Sequence, residues 1–262
     1  MMRLTLLGTG TSTGVPVIGC NCPVCTSADW RDRRLRTSAL LEAKGERLLF
    51  DCGPDFREQM LRFGLRPDET GRLLSAVFLT HEHADHIGGL DDLRPSHLFG
   101  EVPVYAEARV CALLRERFPY CFQTADKRYP GVPQMALRVM CPHEPVRVGT
   151  VEVLPLRVMH GRLPIIGFRI GPLAYITDMS SMAPEEEMLL KGVRLLVVNA
   201  LRHVSHPTHQ TISDAIALSE RLGEPSTYLI HLTHQIRPHA KEDAALPAHV
   251  HLGYDGLQLT VH

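Results

Sequence analysis

Three histidines and an aspartate fall within six positions: His81, His83, Asp85 and His86, in the stretch Thr-His-Glu-His-Ala-Asp-His-Ile-Gly-Gly. Neutral imidazoles and carboxylates are the donor set of zinc, manganese and iron. A polar turn has no need of this density of ligand types. Gly88 and Gly89 follow, and they suit close backbone approach to a crowded centre. Downstream, His160, Asp178 and His231 are further donors of the same kind. Upstream, Cys20, Cys22 and Cys25 place three thiols within six residues. That is one donor short of a tetrahedral zinc site. A fourth from far along the chain would let the ion staple the N-terminal loop to another part of the fold. The alternative is three reduced, unliganded cysteines.

The donors share a setting. Residues 76–79 read as a short buried strand, with His81–His86 in the loop beyond it. Residues 151–159 are a strand delivering His160, and a hairpin of 165–170 and 173–177 ends at Asp178. A strand over 227–230 delivers His231. One histidine after a strand means little, whereas four apolar runs each ending in a metal donor form a pattern. Asp51 closes a hairpin of 38–51 and is either a turn-former or a carboxylate that orients ligands. Further strands are expected over 3–7, 102–106, 194–198 and 257–261. Helices are expected over 55–63 with Gly64 as its stop, 91–99, 107–118, 185–191, 211–222 and 240–246. Residues 119–145 carry five prolines and read as an irregular excursion. Its Tyr120, Phe122 and Tyr129 are rim aromatics or satellite core residues. The loop Gly8–Gly14 alternates glycine with hydroxyls. It is either a tight turn or a nest of backbone N–H groups facing an anion. It is not a P-loop, because no Gly-Lys-Ser/Thr follows.

Composition narrows the classes. The 262 residues are 44% apolar and 22% charged, with a net charge of −1. No global field draws such a chain to nucleic acid or to an anionic membrane. The seven cysteines are odd in number and irregularly spaced, which is no disulfide framework. The first residues run straight into a strand pattern without a signal-like apolar segment, and no run has the length of a membrane span. A cytoplasmic protein is the expectation.

The pattern His-x-His-x-Asp-His, then a lone His, an Asp and a His at strand ends, resembles the metallo-β-lactamase superfamily over nearly the whole chain. The resemblance implies an α/β fold, a four-layer αββα sandwich. It implies one domain over 1–262, built from two similar halves, with metals at one edge between the sheets. Two divalent ions, manganese or zinc, would be held, one by His81, His83 and His160, the other by Asp85, His86 and His231. Asp178 would bridge them. Asp51 would support this shell without being a ligand, and Asp85 and Asp51 would join His209 in the catalytic set.

Within the superfamily the segment Gly-Cys-x-Cys-x-x-Cys is similar to that of PhnP-type phosphodiesterases. The likeness implies a structural zinc on Cys20, Cys22, Cys25 and His234. It also implies that His209 acts as general acid. His203 and His206 have no counterpart in the family: either could take that role, or both are simply exposed. Two metals about 3.5–4 Å apart activate a shared water and orient the hydroxide for in-line attack. A small phosphodiester, such as a cyclic phosphate or cyclic nucleotide, is the implied substrate. The pocket walls would come from 11–18, 119–145 and 201–209. A homodimer is implied by the relatives. A stable nucleic-acid complex and a membrane partner are not expected. The competing readings are a lactonase or thioesterase of the same superfamily, and a non-catalytic carrier resembling PqqB. Transfer-RNA 3′ processing is weakened by the lack of a basic protruding arm.

Overall fold

The structure, a computed structural model, describes all residues except 64, 65, 68–70, 96–98, 125, 126, 128 and 262. Two seven-stranded sheets organise it. The first is built from β1 (Met2–Gly8), β2 (Ser38–Ala43), β3 (Glu46–Phe50), β4 (Ala76–Phe78), β5 (Val102–Ala106), β6 (Met135–Val139) and β14 (Gln258–Val261). Its order is β14-β1-β2-β3-β4-β5-β6. The second contains β7 (Val146–Val148), β8 (Val151–His160), β9 (Leu163–Ile170), β10 (Leu173–Ile176), β11 (Leu195–Asn199), β12 (Ser226–Ile230) and β13 (Val250–Leu252). Its order is β13-β12-β11-β10-β9-β8-β7.

The two sheets repeat one plan. Pairings from β14 through β3 are antiparallel, and those from β3 to β6 are parallel. Likewise β7 through β10 are antiparallel, and β10 to β13 are parallel. Parallel strands need helical crossovers, and these cover the outer faces.

Side-chain alternation divides the core into layers. Leu4, Leu41, Phe50, Phe78, Phe168, Tyr175 and Val197 meet between the sheets. Leu40, Leu49, Val77 and Val104 point outward, where Phe56 and Leu114 from the helices Phe56–Arg62 and Ala108–Arg117 cover them. Leu196, Val198 and Leu229 point outward on the other side, beneath Ala215 and Leu218 of the helix Ile212–Arg221. That helix opens with a capping box of Thr211 and Asp214. Helix, sheet, sheet, helix is the expected αββα sandwich. Among the described residues, no helix is long and apolar enough to cross a membrane.

Several sequence-based expectations need correction. Residues 119–145 are not wholly irregular: a 3-10 turn at Pro119–Phe122 is followed by β6, an edge strand whose last two residues, Arg138 and Val139, are exposed. Tyr120 and Phe122 pack on the outer core of the first sheet, while Tyr129 is exposed. Of the helix expected over 91–99, the start is a 3-10 turn at Leu90–Leu93. At the other end Phe99 is helical and its N–H donates to the Pro95 carbonyl, and 96–98 lie outside the described residues. So does Gly64, the expected helix stop. Strands β7 and β13, three residues each, are additional.

Candidate metal centre

The donors converge because parallel strands end together. β3, β4, β10 and β12 all stop at one edge of the sandwich, and within three residues of their ends come Asp51, the His81–His86 segment, Asp178 and His231. His160 is the last residue of β8. The segment after β4 is not all loop, since Ala84–Ile87 forms one helical turn with His83 at its N-cap. The turn sets Asp85 and His86 side by side, and His81 and His83 precede it in extended chain.

Two groups result. His81, His83 and His160 form one, and Asp85, His86, Asp178 and His231 the other, with donor atoms within 4.8 Å of one another in each. Asp178 spans them. One oxygen lies 3.9 Å from His81 Nε2 and 3.2 Å from His231 Nε2, and the other lies 3.3 Å from His86 Nε2. His81 Nε2 is 2.9 Å from His83 Nδ1.

Three of the five donor imidazoles, His81, His86 and His160, are turned by a partner on the far nitrogen. His86 Nδ1 meets Asp51 Oδ2 at 2.7 Å, and His160 Nδ1 meets the Thr208 carbonyl at 2.8 Å. His81 Nδ1 meets Thr80 Oγ1 at 2.9 Å. Asp51 also accepts from Thr80 N and Oγ1. Such contacts aim the opposite nitrogen at a metal. Asp51, Asp178 and His231 all adopt left-handed backbone, with φ of 58°, 58° and 56°. Strain of this kind collects at functional sites.

The electrostatics suit a divalent cation. Burial works against charging His86, yet the Asp178, Asp51 and Asp85 carboxylates push it well above its usual range. Burial likewise opposes ionisation of Asp178, but His231 and His86 hold it well below the usual carboxylate range. Burial, then the neighbouring His86, push His81 well below its ordinary value, leaving a neutral donor. Among the described residues, the buried His86 Nε2 and both ring nitrogens of His231 have no hydrogen-bond partner. Clustered carboxylates with unpartnered buried imidazole nitrogens fit divalent ions.

His209 sits above this centre. Its ring is 4.6 Å from His160 and 4.8 Å from His231, and among the described residues its buried Nδ1 has no hydrogen-bond partner. Burial, then His231, push its pKa down to about 3. His206 lies beside it, with ring centroids 5.2 Å apart. His203 is turned away and bonds Glu242 at 3.0 Å.

The cysteines form a second cluster. Cys20, Cys22, Cys25 and His234 bring their donor atoms together, with His234 Nδ1 at 3.2 Å from Cys20 Sγ and 3.4 Å from Cys22 Sγ. Backbone N–H groups of Val17 and Cys25 donate to the Cys25 and Cys22 sulfurs. In the glycine–hydroxyl loop four N–H groups are spent within the protein and are not free to cradle an anion. Those of Thr9, Gly10, Thr11 and Gly14 donate to Asp255, Leu35, Leu232 and Thr11.

Residues missed in the sequence are mostly those that hold others. Thr80 carried a signal, a hydroxyl closing an apolar run just before the donors. Thr208 acts through its carbonyl, which no side-chain pattern reveals. Glu82, between two donors, pairs with Arg109.

A model of the beta-lactamase superfamily domain matches residues 46–232. The chain belongs to the metallo-β-lactamase superfamily. Within it, the chain resembles the PhnP family: the crystal structure of a diphosphatase from that family superposes with a TM-score of 0.88 at 39% identity, covering 98% of this chain and 96% of that one. Zinc-bound PqqB from Methylobacterium extorquens shares the fold, with a TM-score of 0.78 at 20% identity over 99% of this chain and all of the other. In sequence, an octanoyltransferase of Porphyromonas gingivalis is 48% identical over 99% of this chain and 52% of its own length. The chain spans about half the length, or less, of the curated relatives it matches.

Proposed function

We propose that this protein is a metal-dependent phosphodiesterase acting on small molecules, cyclic phosphates or nucleotides among them, and that diphosphate linkages belong to the same range. The observation that carries the reading is a complete set of seven His and Asp donors with His209 poised over it. The family likeness supports it, because a PhnP-family relative is a diphosphatase. The octanoyltransferase name belongs to a protein about twice as long, so acyl transfer is not taken over.

His81, His83 and His160 would hold one ion, and Asp85, His86 and His231 the other, with Asp178 between them. The donors suit zinc or manganese. When bound, such ions lower the pKa of water and neutralise charge growing on phosphoryl oxygens. The chain's own residues do the rest. Asp51, Thr80 and the Thr208 carbonyl keep the imidazoles aimed. An anionic phosphoester beside His209 would raise its pKa again, and the protonated ring would give its N–H proton to the departing oxygen. Cys20, Cys22, Cys25 and His234 would hold a structural zinc, which soft thiolates favour.

The test is a screen of cyclic phosphodiesters, linear phosphodiesters, diphosphates, lactones and thioesters on metal-reconstituted protein. Turnover confined to lactones or thioesters would overturn the reading. His209→Ala should cost about 10²–10⁴-fold on alkyl leaving groups and far less on nitrophenyl ones. Equal losses on both would remove His209 from the proton-donor role.

A further inference from the structure

Three histidines lie on the loop of residues 201–209, and the structure treats them differently. His203 is spent on Glu242, at the C-terminal helix His239–Asp243. His209 lies over the donors. His206 stands one ring further out, half-buried, with its centroid 5.2 Å from that of His209.

The hydrogen bonds of His206 determine its tautomer. The Thr208 backbone N–H points at His206 Nδ1 at 3.4 Å, and Thr208 Oγ1 lies 3.2 Å from the same nitrogen. A backbone N–H can only donate, so Nδ1 is an acceptor, and in a neutral ring the proton then sits on Nε2. Among the described residues, Nε2 takes no hydrogen bond. It is a fixed N–H donor left free beside the metal centre.

The loop that presents this donor is seated on the centre itself. The Thr208 carbonyl accepts from His160 Nδ1. Gly161, at φ +63°, lets the loop come close: a Cβ there would lie 2.9 Å from Thr208 Cγ2. Thr208 therefore sets two tautomers at once. Its carbonyl leaves His160 Nε2 free as a donor to metal, and its N–H and hydroxyl leave His206 Nε2–H free for something else.

We propose that His206 is a second substrate-contacting histidine, donating Nε2–H to a phosphoryl oxygen while His209 serves the departing oxygen. The assignment rests on the phosphoester reading given above. A purely structural alternative makes His206 an acceptor that caps the Thr208 N–H and nothing more.

Two substitutions separate these roles. Asparagine places its carbonyl near the position of Nδ1 and keeps the cap, but it lacks a donor at the Nε2 position. Glutamine reaches the Nε2 position and loses the cap. The readout is affinity for inorganic phosphate on the metal-loaded protein, by titration calorimetry, with metal content and melting temperature measured alongside. The expected result is roughly tenfold weaker phosphate binding by His206→Asn, at unchanged metal content and stability, with His206→Gln close to wild type. Phosphate affinity equal in wild type and His206→Asn would overturn the proposal and leave the phosphoester reading intact. Loss of metal or of stability in His206→Asn would overturn it in favour of a structural role. A wild-type protein that binds no phosphate would sink both.

Discussion

The two donor clusters reach the same end of β12 by opposite means. The His/Asp centre stands on the ends of buried strands, over a core continuous between the sheets. His81, His86, Asp178 and His231 are buried, and each approach is fixed by a strand or a helical turn. The cysteine cluster stands on loop. Its apolar support is small, with Val15, Val24 and Cys25 buried and Val17, Cys20 and Cys22 partly so. Yet the clusters are adjacent in sequence at His231 and His234, and Leu232 between them pairs with Gly10. The contrast teaches that one site is positioned by the fold, while the other would position its own stretch of fold. Small segments without a core of their own depend on such staples.

The largest effect should come from Asp178→Ala. It removes the carboxylate shared by His81, His86 and His231, so catalytic metal should be lost and turnover should fall on the order of 10³-fold. Elemental analysis should still find the ion of the cysteine cluster, and loss of that ion too would show that the sites are not separate. Next in size is Cys22→Ser. We expect the melting temperature to fall by roughly 5 °C and residues 11–25 to become open to hydrogen exchange. The His81, His83 and His160 group should keep its metal, and its loss would break the distinction between the two clusters.

The smallest effect concerns the root of the loop. Asp255 accepts from Thr9 N, Thr9 Oγ1 and Leu35 N. Burial pushes its carboxyl up to about 6, against these hydrogen bonds and Arg34. A raised folded-state pKa favours the protonated form in the fold. Its contribution is present below the ordinary value of 3.8 and lost as pH rises through 6. Asp255→Asn should flatten the decline in melting temperature between pH 4 and 7. An unchanged slope would place that pH dependence elsewhere.

The sequence revealed the donors more fully than what turns them. Ligand chemistry admits few residue types, and apolar runs ending in His or Asp mark strand ends, so His81, His160, Asp178 and His231 stood out. The second-layer contacts did not. The Thr208 carbonyl and the helical turn at Ala84–Ile87 arise from tertiary placement, which leaves no periodic trace over so few residues. β6 was hidden because the prolines around it dominate the local signal, and it earns its place as a strand by pairing along β5. The Gly8–Gly14 loop misled for the converse reason. Its composition suits a nest, but the N–H groups of Thr9, Gly10, Thr11 and Gly14 are taken by Asp255, Leu35, Leu232 and Thr11, partners mostly remote in sequence.

The left-handed backbone at Asp51, Asp178 and His231 also constrains how this centre could be lost over evolutionary time. Valine, isoleucine and threonine are nearly barred from such a conformation, whereas glycine and asparagine enter it with little cost. In a lineage released from selection for metal, those three positions should drift first to glycine or asparagine. His81 and His86, which are not among the positive-φ positions, should drift without that bias. A decayed descendant would then carry, in the identities of three residues, a record of where the metals had been.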